Sequence, residues 1–216
     1  FSSSCTVYGQ AEKMPITEDA PVQQPMSPYG NTKKVGEEII RDTAKASSIN
    51  AILLRYFNPI GAHPTAAIGE LPIGVPQNLV PFITQTAIGL RQELSVFGDD
   101  YPTSDGTAVR DYIHVVDLAK AHVIALERLL EKKNTDRVET FNLGTGTGSS
   151  VLEVIQSFER VSGQKLPYKI VPRREGDVTE AYANTHQANT VLGWKAESTL
   201  DEAMASAWKW EQKIRS

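Results

Sequence analysis

The chain has almost no cysteine. Cys5 is the only one in 216 residues, so no disulfide within the chain can brace the fold, and a reducing cytoplasm is the compartment that fits. Long apolar runs are missing as well. No stretch approaches the roughly 20 residues of a membrane span, and no signal-peptide pattern is visible, so no membrane partner is expected. Basic clusters are scarce: 22 Lys and Arg stand against 26 Asp and Glu, for a net charge of −4. That balance argues against the positive surface a nucleic-acid partner requires. Histidines are few, and His63, His122 and His186 show no metal-ligand spacing. Asp99, Asp100 and Asp105 read as loop carboxylates without a convergent partner, so no metal site is expected. His114, inside an apolar run, reads as a packed histidine.

The chain is 40% hydrophobic, enough to bury a core in one large domain or two small ones. It opens at Phe1, without Met, and runs directly into Ser2-Ser3-Ser4. The expectation is that the N-terminal part of a longer domain is missing, and that the 216 residues alone fold poorly and lack activity.

Phe1 to Tyr8 reads as a strand end running into a loop, followed by a loop with Pro15, Pro21 and Pro25. Ser27 is a good N-cap and Pro28 suits a first helical position. The helix that follows should bury Val35, Ile39, Ile40 and Thr43. Ala51 to Phe57 resembles a buried parallel strand. Further helices are expected at about 79–90, 117–132, 151–162 and 199–214, with Asp117 as the cap of the second, and strands at 94–97, 111–116, 139–143 and 166–171. Strands alternating with helices imply an α/β fold with parallel pairings. Trp208 and Trp210 cannot share one helix face, so one of them should be peripheral.

The sharpest chemical feature is Tyr29-Gly-Asn-Thr-Lys33. Residues four apart share a helix face, and an ammonium beside a phenol favours the phenolate. Such a pair can exchange a proton with an alcohol. Alone the spacing carries little, because a surface Tyr above a solvated Lys looks the same. Ser4, 25 residues upstream at the end of an expected strand, adds a hydroxyl where α/β folds bind ligands.

Three segments, Phe1 to Gly9, Ser27 to Gly30 with Lys33, and Arg55-Tyr-Phe-Asn-Pro59, resemble the extended short-chain dehydrogenase/reductase family. Pro76-Gln-Asn-Leu79, Asp105-Gly106, Val109 to Leu118, Asn142 to Gly146 and Arg173 to Asp177 are similar to its UDP-hexose 4-epimerase branch. The resemblance implies the C-terminal part of a Rossmann-type doubly wound parallel sheet plus a smaller mixed α/β substrate lobe. It places residues 1–58 in the remnant of an NAD-binding domain, to which about 111–150 return, and 59–110 and 151–216 mainly in the substrate lobe.

The implied activity is NAD-dependent interconversion of UDP-glucose and UDP-galactose through a 4-keto sugar, extending to the N-acetylated pair. Tyr29 would be the acid/base, Lys33 its electrostatic partner and ribose ligand, and Ser4 a hydrogen-bond partner of the sugar 4-hydroxyl. Tyr56 and Phe57 would join them around the cofactor, with Phe57 beside the nicotinamide. Arg110 and Arg174 would hold the diphosphate, since guanidinium binds phosphate oxygens in a forked geometry; read singly, Arg110 could equally pair with Asp111. Asp177 would accept from the uridine ribose, and Asn58, Asn78 and Leu79 would touch the ligand. Ser95, Val96 and Phe97 would flank the uracil, and Ala181 would leave room at sugar C2. A homodimer through a helix bundle that includes the Tyr29 helix is also implied.

Gly144-Thr-Gly-Thr-Gly148 is not a dinucleotide fingerprint, because position 149 is Ser; it reads as a tight structural turn. The 4,6-dehydratases of the same family carry an Asp-Glu pair just after the position of Ser4, whereas this chain has Cys5 and Thr6. That departure argues against loss of water, and the missing Glu argues against decarboxylation. The remaining alternative is a non-catalytic segment that binds a UDP-sugar weakly.

Overall fold

A computed structural model describes all of residues 1–216. Ser2–Ser4 (β1) enters a 3-10 turn, Cys5–Tyr8. Helix α1 (Pro28–Ala46) and strand β2 (Ala51–Tyr56) follow, then β3 (Asn58–Ile60), α2 (Leu79–Ala87) and β4 (Leu94–Phe97). Two short strands, β5 (Val109–Arg110) and β6 (Tyr112–His114), lead into α3 (Val115–Leu130) and β7 (Val138–Leu143). The chain finishes with β8 (Ser149–Ser150), α4 (Val151–Ser162), β9 (Tyr168–Val171), β10 (Glu180–Ala181) and α5 (Leu200–Arg215). β1, β2 and β7 form one parallel sheet in that order, with Ser4 opposite Tyr56 and Tyr56 opposite Leu143. β3 pairs with β6 and β4 with β9, both parallel, while β5 lies between β10 and β8.

Local chemistry accounts for the element ends. Ser27 Oγ accepts from Gly30 N–H, and Pro28 occupies the first turn of α1, where its missing N–H costs nothing. Ser150 and Thr199 form capping boxes with Glu153 and Glu202 at the starts of α4 and α5. Asp117 does not cap α3. His114 does, its Nδ1 accepting from Val116 N–H, and the buried Asp117 carboxylate instead takes the N–H groups of Glu197 and Ser198 at 3.0 and 2.8 Å. Asp117 therefore ties α3 to the segment entering α5, a long-range use of a residue type that sequence reading assigns locally.

Two apolar cores form. One gathers Ile52 and Leu54 of β2, Phe141 and Leu143 of β7, and Leu118 and Ala121 of α3. The other joins Ile83 of α2, Val96 of β4, Val154 and Phe158 of α4, and Met204 and Trp208 of α5. Trp208 is buried there, edge-on to Phe158. Trp210, on the other side of α5, covers Gly69 and donates to the Glu70 carbonyl.

The main departure from expectation is α1. Val35, Ile39 and Thr43 are exposed, Ile39 by 60%, and the buried positions are Gly30, Glu37 and Ala44. The cause lies in β2. Arg55 interrupts its apolar run and is 2% exposed, so it needs a partner. Glu37 supplies a two-pronged one: Arg55 Nε donates to Oε1 at 2.8 Å and Nη2 to Oε2 at 2.6 Å. Ser3 Oγ donates to the same carboxylate at 2.5 Å. The Arg55 guanidinium also lies over the Tyr8 ring, and Tyr8 donates to Asn142 Oδ1 at 2.6 Å. A buried charge network, not an apolar stripe, fixes which face of α1 meets the sheet.

Burial alone would raise the Glu37 carboxyl, but hydrogen bonds from Arg55 and Ser3 and the Arg55 charge outweigh it and hold the group below the usual carboxylate range. A folded value below the unfolded one means that this stabilisation is present above the ordinary Glu value of about 4.3 and is lost as pH falls through the folded value. Breaking one partner of a buried pair costs about 3–5 kcal/mol. Glu37→Gln should therefore lower unfolding stability at neutral pH by about that amount, and should flatten the acid limb of the stability-versus-pH curve. Urea unfolding of both proteins from pH 7 to pH 3 reads both effects.

Candidate functional site

The site grows from the C-terminal ends of β1 and β2, where parallel strands expose their last residues to a ligand. Ser4 ends β1 and is nearly buried; its Oγ accepts from Thr6 N–H at 3.3 Å, which caps the 3-10 turn and leaves the hydroxyl proton free to donate. The first turn of α1 packs on that 3-10 turn. A Cβ at Gly30 would lie 2.9 Å from Pro25 Cβ and 3.3 Å from Thr6 Oγ1, so the close approach depends on glycine. This brings Tyr29, 54% exposed, to the mouth of the site. Lys33 Nζ lies 5.3 Å from the Tyr29 ring centre and donates to the Ser2 carbonyl at 3.0 Å. Tyr29 and Lys33 thus share one face of α1, and that face lies against β1.

Tyr56 and Phe57 diverge. The Tyr56 hydroxyl bonds Ser2 Oγ at 2.6 Å and meets His122 Nε2 from α3, while His122 Nδ1 reaches the Leu118 carbonyl. Burial raises the Tyr56 phenol above its usual value, with Ser2 opposing and Tyr29 reinforcing the shift. Phe57 is buried among Val7, Tyr8, Ile16 and Ala183. The groups suited to a dinucleotide's polar parts here are Lys33 and Tyr29 on α1 and Tyr56 at the end of β2, a cation and two phenols, and this donor set fits NAD.

The second group of residues meets at β5. Arg110 Nη2 donates to Asp177 Oδ1 at 3.2 Å and Nη1 to the Val109 carbonyl at 2.8 Å. Arg110 is thus paired with Asp177 and not with its neighbour Asp111. Arg174 lies 4.5 Å from the Phe97 ring centre, and the Asp177 N–H closes a turn on the Arg174 carbonyl. One turn therefore carries both Arg174 and Asp177. Along β4, Val96 turns into the core while Ser95 and Phe97 face outward, so of the three only those two offer side chains to a ligand. Asn78 sits at the N-cap of α2 without capping it, and its Nδ2 donates to Glu70 at 2.9 Å; Leu79 packs on the core. Ala181 on β10 is half-buried opposite Arg110, and Asn58 starts β3.

Three participants, two of them buried, escape a sequence reading. Asp111 is fully buried, and its carboxylate accepts from Thr145 N–H and Oγ1 at 2.7 Å each and from Gly146 and Ala183 N–H at 3.1 Å each. This gives the Gly144–Gly148 turn its structural task. Burial raises the Asp111 carboxyl even against those donors. Glu37 and His122 are the others. The available signal was a charged side chain inside an apolar run, Arg55 in β2 and Asp111 between Arg110 and Tyr112. Cys5 lies nearby, and burial pushes its thiol up to about 12, so it stays protonated and inert at neutral pH.

The chain is similar to several known proteins. UDP-glucose 4-epimerases from Mus musculus and Bacillus subtilis (strain 168) are 53% and 52% identical to the chain over 214 and 212 residues, which is 99% and 98% of it. The chain spans 61% of the length of each of these curated relatives. A crystal structure of the UDP-glucose 4-epimerase from Stenotrophomonas maltophila, with bound NAD and formylated UDP-arabinopyranose, superposes with a TM-score of 0.95 at 50% identity, covering 100% of this chain and 63% of that one. The Bifidobacterium longum enzyme in complex with NAD+ and UDP gives 0.93 at 49% identity with the same coverage. Residues 1–207 match the family described as GDP-mannose 4,6 dehydratase, and the chain belongs to that family.

Proposed function

We propose that the protein carrying this chain is a UDP-hexose 4-epimerase that uses NAD. The observation that carries the reading is the packing of the first turns of α1 against β1 and the turn after it, where Lys33 Nζ lies 5.3 Å from the Tyr29 ring centre and donates to the Ser2 carbonyl while Gly30 abuts Thr6, in a chain about half identical to UDP-glucose 4-epimerases. NAD, when bound, takes a hydride from sugar C4 and returns it to the other face. The chain's residues do the rest. Ser4 donates to the 4-hydroxyl oxygen and holds it against Tyr29. Tyr29 removes the hydroxyl proton as C4 is oxidised and gives it back on reduction. The Lys33 ammonium, 5.3 Å from the Tyr29 ring, favours the phenolate that accepts the proton at the start and is regenerated when the proton is returned. Arg110 and Arg174 meet the diphosphate, with Arg110 exchanging its Asp177 partner for phosphate oxygens as Asp177 turns to the ribose.

We assign residues 1–58, with about 111–150, to the NAD side and 59–110 with 151–216 mainly to the substrate side, a division supported by the two separate apolar cores. Dehydration is disfavoured: Cys5, with its thiol near 12, and Thr6 cannot replace a carboxylate pair. No helix is long and apolar enough to cross a membrane, and we infer a cytoplasmic location from the single, unpaired cysteine. We also infer a homodimer, with a second copy covering the apolar outer stripe of α1 at Val35 and Ile39.

In a coupled assay on UDP-galactose, Tyr29→Phe should lower kcat by about 10²-fold or more while UDP still binds. Normal turnover by that variant would remove Tyr29 from the chemistry. The small Ala181 predicts activity on UDP-N-acetylglucosamine, and Ala181→Tyr should abolish that activity while sparing UDP-glucose; full retention on the N-acetylated sugar would show that position 181 does not face C2. Ile39→Glu should convert the dimer to monomers in sedimentation velocity.

A further inference from the structure

Asp111 stands where segments from both sides of the site meet. Its backbone N–H donates to the Ala181 carbonyl at 3.1 Å, and its carbonyl accepts from Asn58 N–H at 2.9 Å. Its side chain holds Ala183, two residues beyond Ala181, and the Thr145–Gly146 turn. Arg110 precedes it in the chain. One fully buried residue thus sets the relative positions of Asn58, Arg110 and Ala181, which lie far apart in sequence.

The chemistry of the four contacts calls for a carboxylate. Three backbone N–H groups and one hydroxyl all donate, two to each oxygen. A carboxylate offers acceptor sites for all of them. Asparagine offers one accepting oxygen and an NH₂ that would face two donors. Space is matched as closely: a Cβ on Gly144 would lie 2.3 Å from Asp111 Oδ2. A buried charge with this many donors is costly to assemble and serves to hold its neighbours in one geometry.

We propose that Asp111 is the positioning residue of the nucleotide-sugar site, fixing β10 and the Arg110 strand at the separation that UDP-sugar binding requires. The proposal rests on the epimerase reading for its substrate but is tested separately from it. UDP affinity is measured by calorimetry, alongside bound NAD content, KM and kcat on UDP-galactose, for the wild type, Asp111→Asn and Thr145→Val. Asp111→Asn should weaken UDP binding and raise KM by about tenfold, the loss expected when charge-assisted hydrogen bonds are replaced by opposed donors. NAD content and kcat should stay near wild type. Thr145→Val keeps the three backbone donors and should shift UDP affinity by about threefold in the same direction, so it carries the test if Asp111→Asn does not fold. A merely structural role would lower NAD content and apparent kcat together and leave the UDP affinity of the folded fraction unchanged; that pattern, or unchanged affinity in both variants, overturns the proposal. Absence of epimerase activity in the wild type overturns the proposed function alone, because UDP binding still ranks the variants.

Discussion

The Arg55–Glu37 pair is the constraint on which the rest of the structure depends. A guanidinium in the middle of a buried strand must be neutralised by something that reaches it, and the carboxylate that does so lies two turns beyond Tyr29 on α1. Because the contact has two prongs, it fixes the rotation of the helix as well as its distance. Ser3 joins the same carboxylate from the neighbouring strand, so β1, β2 and α1 share one point of registry. Ser4, Tyr56 and Lys33 then emerge at the strand ends with no further freedom to choose their relative positions.

The second half of the site follows a parallel logic with different chemistry. Around Asp111 the partners are mostly backbone N–H groups, so the carboxylate organises loops and strand ends instead of a helix. Glu37 and Asp111 are thus two buried acids placed behind the side chains proposed to face a ligand. The apolar cores supply bulk stability. The two acids supply direction, which non-directional apolar packing does not.

This contrast explains what could be read from the sequence. The strand and helix order, the Ser27-Pro28 helix start and the shared helix face of Tyr29 and Lys33 were legible because they rest on local spacing and cap chemistry, helped by a family likeness. The face of α1 was not, because hydrophobic periodicity points to Val35 and Ile39 while the decisive partner of Glu37 lies 18 residues away. Asp117 was misread for the same reason: its true donors are 80 and 81 residues distant. The role of Asp111 depends on segments up to 72 residues away, and no pattern within a short window encodes it. Val96 was half legible, since strand alternation predicts that it points away from Ser95 and Phe97.

Helix α1 is amphipathic in reverse, with its acid inward and its isoleucine outward. The two faces answer to different demands, because the inner one sets the catalytic alignment through charge and the outer one contributes nothing to it. Substitutions on the outer face therefore leave the buried Arg55–Glu37 registry untouched, so that face is free to answer to whatever covers it without shifting Tyr29 and Lys33 against β1.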